Sequence, residues 1–219
     1  MLFRSDVGIV NFDCCRVTED GKMLGGTETV QDRVLSQEEA LVALMQGKIN
    51  NYMCNKVFKR FVFDDVRFPE GRLWEDMAIC YKLLLKAEHI YCSSEKLYYY
   101  LQRYNSITAT ISEKALCDVF IARYNSFLSL KDIYPQVGEL VFPKVALCAV
   151  RLFDRSLWAD VDQAVLVQAQ GFLKENKDKI LKEIGGGGYQ LYYRFPGLYA
   201  FFRVCKHKIG NLVRCVRKK

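Results

Sequence analysis

The apolar residues of this chain change period along its length, and that change constrains the fold more than any motif does. Before residue 110 short β-branched and aromatic runs broken by turn residues alternate with short helical spacings; beyond Ser112 the apolar residues recur every three to four positions throughout, as on one face of a helix. Val7 to Val17 reads as a strand that ends at Glu19-Asp20-Gly21 and resumes at Met23 as a hairpin. So apolar a strand, starting so early, belongs inside a larger sheet. Ser36 and Glu39 form a capping-box signature ahead of Ala40, Leu41, Leu44 and Met45, a short helix that Gly47 ends. The spacing of Tyr52, Met53, Lys56, Val57 and Phe61 predicts a further helix over 49–63, and Phe68-Pro69-Glu70-Gly71 a loop. Leu73, Met77, Cys80, Leu84 and Ala87 give the clearest helix, with Glu75 and Asp76 in its first turn. His89 to Arg103 reads as two short strands around Ser93-Ser94-Glu95-Lys96.

Helical stretches follow over 113–132, 137–157 with Pro143 as a kink, and 161–182. Gly185 to Gly188 make a flexible joint, and the positions from Leu198 to Val216 follow amphipathic helical spacing. The expected fold is therefore α+β and mostly helical, in three parts: 1–110 with short strands and helices, 111–184 helical, and 185–219 a glycine joint with a basic amphipathic tail. Nine cysteines without a C-x-x-C, mostly among apolar neighbours, read as buried thiols in a reducing compartment. Asp6 interrupts any signal core, and no uncharged apolar stretch approaches the ~18 residues that span a bilayer. A cytoplasmic location is expected.

Several acidic and glycine-rich elements carry no metal or phosphate chemistry. Asp160-Val161-Asp162 has the form D-x-D but sits where aspartates cap a helix. Asp64-Asp65 reads as a solvated turn, and the four glycines follow a helix instead of a strand. With two histidines, His89 and His207, no metal ligand set emerges.

Between residues 54 and 107 the order of motifs is the informative feature. It runs Cys54-Asn55-Lys56-Val57-Phe58-Lys59-Arg60, Arg67-Phe68-Pro69-Glu70-Gly71, Trp74-Glu75-Asp76, Leu97-Tyr98-Tyr99-Tyr100, then Gln102-Arg103 with Ser106-Ile107. This pattern resembles the acceptor-side half of family 2 glycosyltransferases, which build bacterial cell-surface polysaccharides, and the resemblance covers about residues 5 to 108. It implies an incomplete GT-A-like C-terminal half, a nucleotide-sugar donor with Mg or Mn in the complete family member, and inverting transfer to a glycan or lipid-linked acceptor. Catalysis by Asp76 as base, with Glu75 supporting it, is part of what the resemblance implies. A carboxylate at a helix N-terminus beside a Pro/Gly loop suits that role, since the dipole favours its ionised form near the ordinary pKa of ~3.9.

Trp74 and Glu70 are the candidate acceptor contacts, the indole by stacking on a sugar ring. Arg103 and Lys56 are candidate contacts to donor phosphate. Each has a plainer reading: acids in a first helical turn complement the dipole, and a strand-end arginine also makes structural ion pairs. Tyr81 and Tyr98 to Tyr100 read as core and sheet packing. Cys54 stands where the family commonly has tryptophan, and Asn105 where it has glycine. The family's nucleotide-binding strands and its D-x-D motif do not precede Glu75-Asp76 here, so the isolated chain is expected to be inactive, with a non-catalytic glycan- or partner-binding module as the alternative.

Charge supplies the second signal. Through Glu183 the sequence sums to −1, and the last 36 residues carry +8 without one acid. Mixed with that charge are Tyr189, Tyr192, Tyr193, Phe195, Tyr199, Phe201 and Phe202. This suits a helix lying in the headgroup region of an anionic bilayer, with Phe201, Phe202, Arg203, Lys206, Lys208 and Arg214 as contacts, at the inner face of the plasma membrane. A peripheral membrane adaptor is the reading that rests on the tail alone, nucleic acid is disfavoured by the aromatic face, and packing of the helix on the protein body is the plain alternative. The first strand is also expected to expose an edge that pairs with a second copy.

Overall fold

The computed structural model describes residues 6–26, 32–103 and 112–216, with side chains up to residue 210. The fold is α+β and mostly helical, as the change of period requires. Backbone contacts group it into two units, Met1–Phe142 and Pro143–Lys219.

Unit 1 is built on β1 (Val7–Val17), whose first nine residues are all buried. It pairs in parallel with β5 (His89–Leu101) on one side. On the other it pairs antiparallel with β4 (Lys56–Phe58) near its start and with β2 (Met23–Gly26) near its end. The expected hairpin is present: Thr18 and Lys22 close the turn around Gly21, which has φ 82°. The expected free edge on the first strand is not, because partners flank β1 on both sides. The outer strand beyond β5 is β3 (Arg33–Ser36), antiparallel to its first half.

A parallel pair cannot be joined by a tight turn. The chain between β1 and β5 therefore carries α1 (Gln37–Gln46), β4, a 3₁₀ turn (Arg60–Phe63) and α2 (Glu75–Lys86). Helix α1 has the full capping box: Ser36 Oγ accepts from Glu39 N at 3.4 Å while Ser36 N donates to Glu39 Oε2 at 2.8 Å. Gly47 closes it in the left-handed region at φ 77°. Gln37 fastens the start of α1 to the end of α2 through the carbonyls of Leu85 and Ala87, and accepts from Tyr134 Oη at 2.6 Å.

The helix expected over 49–63 does not form. Asn50 Oδ1 accepts from Tyr52 N at 3.0 Å, and Asn55 Nδ2 donates to Phe12 O at 2.8 Å, so two asparagines divert the backbone into a turn and then into β4. His89–Leu101 is one strand where two were expected. The register passes from Phe12 opposite Ser93 to Asp13 opposite Lys96, so Ser94 and Glu95 bulge out and no loop is needed. Ser94 N and Oγ donate to the Asp32 carboxylate at 2.8 Å each. Helix α3 (Glu113–Leu130), capped by Ser112, packs on α2, and α4 (Pro135–Ser156) runs through Pro143 across the unit boundary.

Unit 2 contains the rest of α4, α5 (Gln163–Glu175), α6 (Lys177–Lys179), a π-helical turn (Ile180–Ile184), α7 (Gly187–Arg194) and α8 (Pro196–Val216). Asp162 caps α5 by accepting from Val165 N at 3.1 Å, as expected of that D-x-D. The predicted helix over 161–182 breaks at Asn176, whose Nδ2 turns back to Phe172 O at 2.9 Å. The glycine joint is shorter than its sequence: Gly185 and Gly186 take positive φ, whereas Gly187 already opens α7.

Two substitutions test this architecture. Ser36→Ala should cost about 1 kcal/mol in denaturant unfolding through loss of the cap. At Gly8 a Cβ would stand 3.0 Å from Ala87 Cβ and 3.2 Å from the Phe61 ring. Gly8→Ala should therefore destabilise by about 1–3 kcal/mol, through the seam between β1 and the end of α2.

Candidate active site

The start of α2 holds the residues of greatest chemical interest. Trp74, its N-cap, has φ 60°, and among the described residues it is the one non-glycine with positive φ. That conformation costs an L-residue roughly 1–2 kcal/mol and its side chain makes no capping bond. Such a cost at the mouth of a helix fits a site where the direction of the following residues matters. Glu75 is exposed, Asp76 half-buried, and Asp76 Oδ1 accepts from Met77 N at 2.7 Å.

Burial is the main influence on Asp76, and it raises the carboxyl above the ordinary aspartate range; the charge of Glu75 adds to it, while the Met77 N–H and the Lys56 charge pull the other way. The dipole therefore does not hold this group at its ordinary value, contrary to the sequence expectation. A more basic carboxylate is the better proton acceptor.

Lys56 is not placed to meet a donor phosphate. It is buried, and its ammonium donates to Asn50 O and Tyr52 O at 2.7 Å and to Asn55 Oδ1 at 3.0 Å, a partner for each of its three protons. Burial depresses its pKa. It holds the 50–56 loop closed, the role an asparagine-rich loop around a buried cation requires, and it sits within electrostatic reach of Asp76. Tyr100 stacks on Tyr52 at 5.6 Å between ring centroids and also feels the Asp76 charge. Tyr81 is buried as expected, but Tyr98 and Tyr99 are exposed, not core. Sequence reasoning missed Asn11. It lies opposite both Lys56 and Cys92 in register, is fully buried, and neither atom of its amide has a hydrogen-bond partner.

Glu70 is exposed in the loop before α2, and Arg103 is exposed just beyond β5. Ser106 and Ile107, and with them Asn105, lie outside the described residues. The loop is tied down by Asp118 on α3, which accepts from Arg72 at 2.7 Å, Leu73 N at 2.9 Å and Lys114 at 2.8 Å. Burial works against the Asp118 charge, but these three donors prevail and lower its pKa. Beside that network a cleft of about 190 Å³ opens between Arg67, Pro69, Arg72, Leu73, Lys82 and Asn125; it borders α2 on another side than Asp76. The divalent ion the resemblance implies finds no donor set here: among the described residues no three His, Cys, Asp or Glu side chains converge. Most of the cysteines among them are buried, and burial pushes the Cys92 thiol up to about 11.

In the tail, Phe201, Phe202, Lys206 and Lys208 are exposed on α8, and the side chain of Arg214 lies outside the described residues. Arg203 instead forms an ion pair with the buried Asp154. Tyr192, Tyr193 and Tyr199 also turn inward, around Phe153 and the Leu173 carbonyl. Among the described residues no helix is long and apolar enough to cross a membrane. No protein-family model and no curated protein matches the chain.

Burial disfavours the charged form of both groups, and because their charges are opposite it predicts opposite pH signatures. Asp76, raised on folding, contributes stability that is full below its unfolded pKa of 3.8 and is lost as pH rises through the folded value. Asp76→Asn should therefore be more stable than the parent at pH 7, with the gap closing below pH ~4 in denaturant titrations. Lys56, lowered on folding, contributes stability above 10.5 that is lost as pH falls through its folded value. Lys56→Met, which orphans three oxygens, should cost about 1–3 kcal/mol, whereas Asn11→Val should be neutral or stabilising.

Proposed function

We propose that unit 1 is the acceptor-side portion of a family 2 glycosyltransferase in which Asp76 is the catalytic base. The resemblance of the 54–107 motifs motivates this reading, and the state of Asp76 is the observation that carries it. A half-buried carboxylate made more basic by its surroundings follows a tryptophan held in a left-handed conformation, where a purely structural helix start would be served better by a capping serine or aspartate. In this mechanism the acceptor hydroxyl gives its proton to Asp76 as its oxygen attacks the anomeric carbon. The bond from that carbon to the nucleoside diphosphate breaks on the opposite side, with inversion. Trp74 offers its ring face to the acceptor sugar, and Glu75, exposed beside it, raises the basicity of Asp76 through its charge.

A second reading, a non-catalytic glycan- or partner-binding module, is favoured by one observation: the cleft beside Arg72 and Lys82 does not reach Asp76. Sugar transfer with a nucleotide-binding half supplied in trans separates the two. Asp76→Asn should lower turnover by roughly 10²–10⁴-fold with donor affinity unchanged. Equal turnover by the variant would remove Asp76 from the chemistry.

A further inference from the structure

Helix α8 packs on the rest of unit 2 through its polar side. Tyr199, Arg203 and His207 are spaced four apart and share one face. Tyr199 Oη donates to Asp154 Oδ1 at 2.8 Å, Arg203 pairs with the other carboxylate oxygen, and His207 stacks on Trp158 with 4.4 Å between centroids. Asp154 is itself buried, so these contacts fix which way the helix faces.

The other side is a stripe of Leu198, Phe201, Phe202, Cys205 and Ile209, about 100° wide at 3.6 residues per turn. Leu198, Phe201, Phe202 and Ile209 are 46%, 62%, 54% and 60% exposed. Phe195, just before the helix, is exposed too. Lys206 and Lys208, both exposed, border the stripe on its two flanks. A surface helix ordinarily buries its apolar face and leaves the polar one to water. Here the arrangement is reversed.

We propose that this face of α8 seats in the headgroup region of an anionic lipid bilayer, with the helix lying in the plane of the surface. The apolar centre enters the acyl boundary, and the lysines on its borders extend upward to lipid phosphates. Residues 184–219 hold eight Lys and Arg and no acid, a charge complementary to such a surface. A second copy of the chain fits less well, because a two-fold contact would bring lysine borders together without a carboxylate from this segment to pair them. Duplex nucleic acid would need cations at the centre of the face, where phenylalanine stands. The inference does not depend on glycosyl transfer.

The test is flotation of the full chain with phosphatidylcholine vesicles, with and without phosphatidylglycerol. Binding should require the anionic lipid, weaken in high salt, and fall about fivefold for each of Lys206→Gln and Lys208→Gln. Phe201→Ser and Phe202→Ser should each cost about tenfold. Circular dichroism checks that these variants keep the parent fold. Equal binding to neutral vesicles, undiminished binding by the double phenylalanine variant, or no binding at all would overturn the proposal. So would a dimer in sedimentation that the same variant dissolves, or capture by duplex DNA that it leaves unchanged.

Discussion

The parallel pairing of β1 with β5 is the constraint on which the rest of unit 1 depends. Nine consecutive buried residues in β1 cannot be satisfied by a hairpin alone, since a two-stranded ribbon leaves both faces wet. The long partner is β5, and a parallel partner obliges the chain to cross over before it returns. That crossover places α2 against the sheet, with Gly8 giving way to Ala87 at the seam. It also sets the start of α2 near the buried Lys56 and the stacked Tyr52 and Tyr100. The position of Asp76 is thus a consequence of sheet topology, reached through the packing of α2.

At that position two effects compete, and their outcome decides the chemistry. A helix N-terminus favours a carboxylate by about 0.3–1 kcal/mol when exposed, which alone would keep Asp76 ionised and weakly basic. Partial burial outweighs it, and the neighbouring Glu75 pushes in the same direction. The Lys56 charge pulls the other way but does not prevail, and its ammonium is bonded to three other oxygens instead of the carboxylate. The same burial that makes the carboxylate a better base makes the fold less stable at neutral pH. A stability cost of this kind is compatible with the proton-accepting role we propose for Asp76.

Legibility in the sequence followed the range of the interactions involved. The capping box at Ser36 and Glu39, the stop at Gly47, the hairpin around Gly21 and the periodic face of α2 are all decided within a few residues, and all were readable. The failures are long-range. Lys56 reads as one more helical position because the pairing of β4 with β1, which draws it into a strand opposite Asn11, joins residues distant in sequence. Ser93 to Lys96 looked like a break because a bulge and a loop share the same polar residues, and only the register against β1 separates them. Asn11 carried no signal, since an unpaired amide inside a sheet follows no spacing rule.

Arg203 shows how a count of charges misplaces one residue of the tail. Counted with the other cations it belongs to a positive surface, yet its guanidinium is held by Asp154, a residue far away in sequence. That single buried carboxylate explains the orientation of α8. Leaving it without Tyr199 and Arg203 would strand a charge in the interior, a loss of several kcal/mol. Exposing Phe201 and Phe202 instead forgoes about 1.5–3 kcal/mol each. The two terms are of similar size, so the orientation seen here loses little by exposing the phenylalanines, and cover from outside the chain would favour it further. Within the protein the ionic anchor holds the inner face and the apolar face stays exposed, the face we propose an anionic bilayer covers.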